Sequence, residues 1–309
     1  MHNIPIDKQM DTLMNFTHIS YSEKIQRAKD ELLATDPNTV IKRWREERDK
    51  TFGGIYWGKI YLVWAKTWVG KSTFVNQICK NVSDQGVKVV KYSLEDRMED
   101  IGKEELFFAV NRLRYKDRKE KYERCDFVNH EIQTDEFYNY LWLACEELSK
   151  SDITEIDKER QMTIDDLCIL MEWECDNWVK VFAIDHLHYF EFKDIWERLD
   201  LQIQNVMHRI NEIVRKRNVA VFLIAHYKNN VWTWEPSPDR FKDGASIKQV
   251  ANMIIQIERE ASDSNQSRFY ITKMRWPIKP PELETAFDLW KFEYAFKKSS
   301  PRNQSIWIS

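Results

Sequence analysis

The chain has 309 residues, of which 43% are hydrophobic, 13% aromatic and 31% charged, and its formal net charge is −3. That composition supplies a packed core and a charged surface, but no global positive field. Contacts to nucleic acid would therefore have to come from local basic loops, or from several subunits gathered round a common axis.

No apolar run reaches the roughly 18 residues that would suggest a membrane span. The leader MHNIPIDKQMDTLMNF lacks a basic start followed by an apolar stretch, so it does not read as a secretory signal. Five cysteines (Cys79, Cys125, Cys145, Cys168, Cys175) are dispersed without a CxxC pair. They read as buried thiols in a reducing, cytoplasmic compartment, not as a disulfide frame or a zinc site.

Residues 1–50 read as a polar helical arm, interrupted at Asp36-Pro37, with thin apolar faces suited to solvent or to docking on a neighbour. A turn at Gly53-Gly54 should lead through an entry hairpin into a strand at 60–64. A helix through STFVNQICKNVSDQG and a strand at 87–95 are expected next. Polar helices should then cover 98–124 and 134–149, followed by a short strand at 153–157 and a helix in MTIDDLCILMEWECDNW. The apolar runs 179–185 and 219–226 read as buried strands flanking a long helix at 198–217. After residue 250, ANMIIQIER, SRFYITKMRW and AFDLWKFEYAF read as strands joined by turns. The expected architecture is α/β: a mostly parallel sheet covered by helices, with an antiparallel C-terminal extension. Residues 51–309 should form that domain behind the arm.

Residues Ala65-Lys66-Thr67-Trp68-Val69-Gly70-Lys71-Ser72-Thr73 lie between the first strand and the first helix. They match the phosphate-loop template G-x-x-x-x-G-K-S/T except that Ala65 stands at the first glycine. Gly70 would let backbone amides face phosphates, Lys71 would bring positive charge to them, and the Ser72 hydroxyl would ligate Mg²⁺. Whether Ala65 is tolerated depends on its φ angle. Asp185 ends an apolar strand, the usual place for a second magnesium-associated group, and Glu95 ends the strand after the loop's helix. Parallel strands end on one edge, so Ala65, Glu95, Asp185 and His226 should share one rim.

The ordered segments AKTWVGKSTF, YSLED, FAIDHLHY, FLIAH, DGASIKQVANMIIQIER and ITKMRW resemble the DnaB-like (superfamily-four) ring-forming replicative DNA helicases, across roughly residues 50–295. The helicase halves of phage helicase–primases belong to this group. The resemblance implies a RecA-like P-loop NTPase that uses ATP and Mg²⁺, forms a ring (a hexamer), moves on single-stranded DNA and meets other replication proteins, with no membrane. It also implies that an alanine at position 65 is compatible with binding. By position, Glu95 resembles the base that polarises water, Asp185 the magnesium-associated acid, and His226 the γ-phosphate sensor. Lys273 and Arg275 resemble the finger that enters the adjacent subunit's site.

The resemblance is incomplete. No collar or primase domain is expected before the core, and 96–178 is richer in charge than a minimal core needs. Segment 230–243, at the place of a DNA-binding loop, carries Trp232 and Trp234 but only one Arg and one Lys. Those indoles would either stack on bases or pack the loop. His186 and His188 fit hydrogen bonding to the groups that hold the site, or packing, better than a metal tetrahedron. Lys228 fits DNA or solvent equally, and the mixed run 114–126 reads as a solvated helix face. Beside a helicase, a recombinase-like filament ATPase and a nucleotide-gated loader remain open readings.

Overall fold

The computed structural model describes residues 54–66, 69–95, 97–156, 162–185, 199–226, 245–259, 266–275, 283–288 and 293–296, together with Gln26. The chain divides into two compact units, Met1–Ile41 and Lys42–Ser309, and all of these residues but Gln26 belong to the second. The expected arm helix, His186, His188, Lys228 and the 230–243 loop lie outside the described residues.

Among the described residues nine strands form one sheet: β1 (Lys59–Ala65), β2 (Val89–Ser93), β3 (Ile153–Ile156), β4 (Val181–Asp185), β5 (Ala220–His226), β6 (Met253–Arg259), β7 (Gln266–Met274), β8 (Leu283–Asp288) and β9 (Glu293–Phe296). Their order is β3-β2-β4-β5-β1-β6-β7-β8-β9. Pairing is parallel from β3 to β6 and antiparallel from β6 to β9. This is the expected parallel sheet with an antiparallel extension. Such strands are apolar throughout because both faces are covered, and in β1 every residue from Ile60 to Ala65 is buried.

One face packs against α5 (Ile164–Asp176), α6 (Leu199–Arg217) and α7 (Ala245–Val250). Trp64, Tyr92, Phe182 and Leu223 from the strands meet Leu167, Met171, Met207 and Ile210 from α5 and α6. Each such side chain contributes about 1.5–3 kcal/mol by leaving water. Helix α1 (Lys71–Ser83) buries Phe74, Val75, Ile78, Cys79 and Val82, and Phe74 meets Phe269 of β7 with ring centroids 4.7 Å apart.

Asn252 ties the start of β6 to β1. Its amide donates to the Ile60 carbonyl at 2.8 Å, and its side-chain carbonyl accepts the Ile60 N–H at 2.9 Å. The anticipated entry hairpin does not form among the described residues. Ile55 makes an isolated bridge, and Gly58 turns at φ 66° and donates to the Val219 carbonyl, so β1 pairs with β5 and β6 instead.

The anticipated helix over 98–124 is two helices, α2 (Met98–Lys116) and α3 (Arg124–Val128), with α4 (Asp135–Ser149) following. Helix α2 stops where Arg118 adopts φ 57° and the Arg118 and Lys119 amides bond back to the Tyr115 and Arg114 carbonyls. The mixed-charge run 114–126 is mostly exposed, as expected, but it spans the end of α2, a loop and the start of α3 instead of one helix face, and its first residue is buried. Arg114 is buried with its guanidinium 3.8 Å above the Tyr122 ring, and it donates to the Glu120 carbonyl, the Tyr122 hydroxyl and Glu136 at 2.7, 2.9 and 3.0 Å.

Around it Phe107, Phe127, Phe137 and Tyr140 form a satellite core separate from the one under the sheet. The cysteines also differ from expectation: Cys79 and Cys168 are buried, but Cys125 and Cys145 are exposed and Cys175 is half-buried. Short amphipathic helices α3 and α4 leave one side in water, and these two thiols fall on it. No described helix is long and apolar enough to cross a membrane.

Phe127 touches Phe107 and Phe137 edge-on at 5.4 and 5.5 Å. Phe127→Ala should lower stability by about 3 kcal/mol through the cavity it leaves, read as a shifted urea midpoint. An unchanged midpoint would show that the satellite core does not share in the global transition.

Candidate active site

The loop between β1 and α1 is shaped by Gly70, which caps the helix in left-handed backbone at φ 90° and ψ 34°. A side chain there would be strained, which is why glycine stands at this position. Ala65, by contrast, is the last residue of β1, is fully buried and is not among the residues with positive φ. No glycine is needed there, and the departure from the template costs the turn nothing. Lys66, Val69, Gly70, Lys71, Ser72 and Thr73 are described, while Thr67 and Trp68 lie outside the described residues.

Lys71 opens α1, is buried, and donates to the Lys66 carbonyl at 3.2 Å. Burial holds its ammonium below the ordinary lysine range, against the opposing pull of Asp185 and Glu95. The Ser72 hydroxyl donates to Oδ2 of Asp185 at 2.7 Å, joining the first turn of α1 to the end of β4. Ser93, the last residue of β2, is in register with Asp185, and the Leu94 amide donates to the Asp185 carbonyl at 3.0 Å. Glu95 follows two residues beyond the strand, exposed, at the mouth of a cavity of about 260 Å³ that Ser72, Asn76, Ser93 and Asp185 also line. His226 ends β5 in register with Ala65. Ala65, Glu95, Asp185 and His226 thus stand at the C-terminal ends of neighbouring parallel strands, and Lys71 and Ser72 join them from α1.

These groups fit a magnesium–nucleotide. A hydroxyl and a carboxylate 2.7 Å apart sit beside a lysine at a helix N-terminus, which carries partial positive charge. No group of three or more His, Cys, Asp or Glu able to hold a metal occurs among the described residues. Mg²⁺ held with substrate phosphates needs only one or two protein oxygens, so this is no conflict.

Lys273 and Arg275 lie elsewhere. Strand β7 runs antiparallel to β6, with Met274 opposite Met253, and the Arg275 amide donates to the Asn252 carbonyl at 3.1 Å. Asn252 is level with Ile60, five residues before Ala65 along β1. Arg275 therefore stands at the opposite edge of the parallel sheet, roughly 17 Å along the strand direction from the rim, while Lys273, opposite Ile254 and so level with Leu62, lies roughly 10 Å from it. Both side chains fold onto the C-terminus of α7. Lys273 donates to the carbonyls of Lys248 and Gln249, the latter at 3.2 Å, and Arg275 donates to that of Gln249.

Three residues of this neighbourhood carry no role in the sequence reading: Lys91, Glu105 and Glu155. Lys91 is buried in β2 and pairs with Glu105 of α2 at 3.1 Å and with Glu155 of β3. The signal was a lysine in the middle of the apolar strand VVKYS.

The fold is shared with solved structures. One, described as an ATPase domain, matches with a TM-score of 0.73 at 18% identity, covering 90% of this chain and 99% of its own. A DnaB-like replicative helicase studied with its primase matches at 0.74 and 18% identity, covering 94% and 71%. The KaiC-like protein PH0186 from Pyrococcus horikoshii OT3 matches at 0.55 and 16%, covering 84% and 98%. These likenesses define a RecA-like ATPase fold.

Within that class, the family model "DnaB-like helicase C terminal domain" matches residues 44–284, and the chain belongs to that family. No curated protein matches the chain.

Burial, and then the charge of Arg275, depress the Lys273 ammonium to about 8. Its ordinary value is 10.5, so between about 8 and 10.5 the folded chain binds fewer protons than the unfolded one. Stability therefore rises with pH through that window. Acylation of Lys273, followed by mass spectrometry against pH, should show half-deprotonation near pH 8, moving upward in Arg275→Ala. A midpoint at the ordinary lysine value would contradict the burial of this ammonium.

Proposed function

We propose that the chain is an ATP-driven DNA helicase that works as a hexameric ring, hydrolysing ATP where subunits meet and moving along single-stranded DNA. The observation that carries the reading is the meeting of Lys71, Ser72, Glu95 and Asp185 on one sheet edge in a chain of the DnaB-like helicase family.

In this reading the loop from Ala65 to Thr73 cradles the phosphates of ATP, and Lys71 places its charge against the β- and γ-phosphates. Ser72 and Asp185 hold Mg²⁺, which offsets phosphate charge when bound. Glu95, open to the cavity mouth, accepts the proton of the attacking water, and His226 reports on the γ-phosphate from the end of β5.

Arg275 stands at the edge of the sheet away from its own rim, and Lys273 is turned toward the same α7 carbonyls, so the two suit a neighbour's nucleotide better than their own. On meeting it they would exchange the α7 carbonyls for phosphate oxygens. Segment 230–243 would take the DNA, and other replication proteins in the cytoplasm would be the partners.

Lys71→Ala should abolish Mg-ATP binding, measured by equilibrium titration. Glu95→Gln should bind as the parent does and lose about a hundredfold or more in turnover. Glu95→Gln and Arg275→Ala, each nearly inactive alone, should regain hydrolysis when mixed, because an intact Glu95 site then meets an intact Arg275. Co-assembled mixtures without recovery would sink the shared site. Strand displacement on a forked substrate tests unwinding itself, and hydrolysis without displacement would favour a nucleotide-gated loader.

The thin apolar faces of residues 1–50 suit docking on a neighbouring subunit, since so short a polar helix is marginal alone. Deleting residues 1–45 should shift the assembly toward monomer in light scattering at equal concentration. An unchanged mass would remove this role from the arm.

A further inference from the structure

Lys91 is an unexpected residue where it sits. It occupies the middle of β2, a strand buried on both faces, with Val90 and Tyr92 on either side, and it is only 3% exposed. Burial by itself pulls its ammonium down, but Glu105 and Glu155 together outweigh that and hold it above the ordinary lysine value, so it is charged. An apolar side chain of similar size would satisfy a buried strand position without desolvating any ion, and such exchanges often leave stability unchanged or raise it. Stability alone gives no reason for a lysine here. What a charged nitrogen adds is direction, because its partners must come to fixed positions around it.

Those partners lie on both sides of the segment that carries Glu95. Strand β2 ends at Ser93 and helix α2 begins at Met98, so Glu95 rides on the short joint between them. On the strand side, Lys91 is in register with Glu155 of β3 and pairs with it, and the Ser93 hydroxyl donates to the same Glu155 carboxylate at 3.3 Å. On the helix side, Glu105 of α2 reaches the same ammonium at 3.1 Å. One nitrogen thus holds the strand that enters the joint and the helix that leaves it. Lys91, Glu105 and Glu155 also line the cavity that Ser72, Glu95 and Asp185 line.

We propose that Lys91 is a positioning residue for Glu95: clasped by Glu155 and Glu105, its ammonium sets the angle between β2 and α2 and so fixes the joint that presents the Glu95 carboxylate. The inference rests on the hydrolase reading only for what Glu95 does once it is placed. The ammonium of Lys91 is held by these two carboxylates and not by the phosphate loop, so its loss acts on turnover and not on nucleotide affinity.

The test compares Lys91→Met, the triple variant Lys91→Met/Glu105→Gln/Glu155→Gln, and Lys91→Arg with the parent full chain. The triple variant removes the carboxylates that Lys91→Met would strand, and so keeps the question open if the single variant fails to fold. Two readouts are taken: steady-state ATP hydrolysis with affinity for a non-hydrolysable ATP analogue, and amide hydrogen exchange across residues 94–98.

Misplacing a reacting group in this way costs turnover about tenfold to a hundredfold. The expected result is that loss in both methionine variants with analogue affinity unchanged, faster exchange across the joint, and partial recovery of both in Lys91→Arg. Unchanged exchange in the folded triple variant overturns the proposal, as does parental turnover in that variant. If the parent shows no Glu95-dependent hydrolysis, the proposed function fails, and the exchange measurement still decides whether Lys91 holds the joint.

Discussion

Parallel pairing from β3 through β6 is the constraint on which the rest of this molecule depends. Strands that run the same way end on the same edge, so groups at the ends of β1, β2, β4 and β5 meet without any long loop to carry them. Backbone register does the fine placement. Ser93 stands beside Asp185 and Ala65 beside His226, and the first turn of α1 then closes the arrangement with one hydrogen bond from Ser72 to Asp185. The switch to antiparallel pairing at β7 has the opposite effect. It runs the chain back toward the far edge, which Arg275 reaches and Lys273 approaches.

Two buried ammonium groups divide the labour around that rim, and their surroundings differ in a telling way. Lys71 is desolvated, and the attraction of Asp185 and Glu95 does not make up for it. Burial dominates at this ammonium. Lys91 is more deeply buried yet over-compensated by two carboxylates at contact distance. Nothing remains for it to attract, so it works on the architecture around it. Cys79, packed on the same side of the sheet from α1, feels that environment too: burial raises its thiol to about 12, which makes it an inert core residue.

Much of this was legible in the sequence because period and continuity report burial directly. Apolar runs of five to seven residues are buried strands, and each one here was found. The helix start after Gly-Lys-Ser and the carboxylate at the end of VFAID needed only the rule that parallel strands share an edge. What was not legible depended on side-chain contacts made only by the tertiary fold. The run 114–126 looks solvated because charge usually is. Arg114 is nevertheless buried, since Tyr122, Glu136 and the Glu120 carbonyl satisfy it from three directions, and only a tertiary fold brings them together. The same holds for Lys91, whose partners lie 14 and 64 residues away in sequence. The missed hairpin has a related cause: β1 looked free to pair locally, but β5 and β6 occupy both of its edges.

The way Lys273 and Arg275 are held bears on how a shared site could cycle. Both donate to main-chain carbonyls at the end of α7, where the helix dipole is negative, and neither pairs with a described carboxylate. A carbonyl is a neutral acceptor, so the clasp satisfies the donors while leaving most of their charge uncompensated. Burial depresses the Lys273 ammonium to about 8, and the like charge of Arg275 beside it adds to the shift. A phosphate oxygen offers the same hydrogen bonds with opposite charge, and would draw the lysine back toward its charged form. The exchange of carbonyl for phosphate is therefore downhill for both side chains.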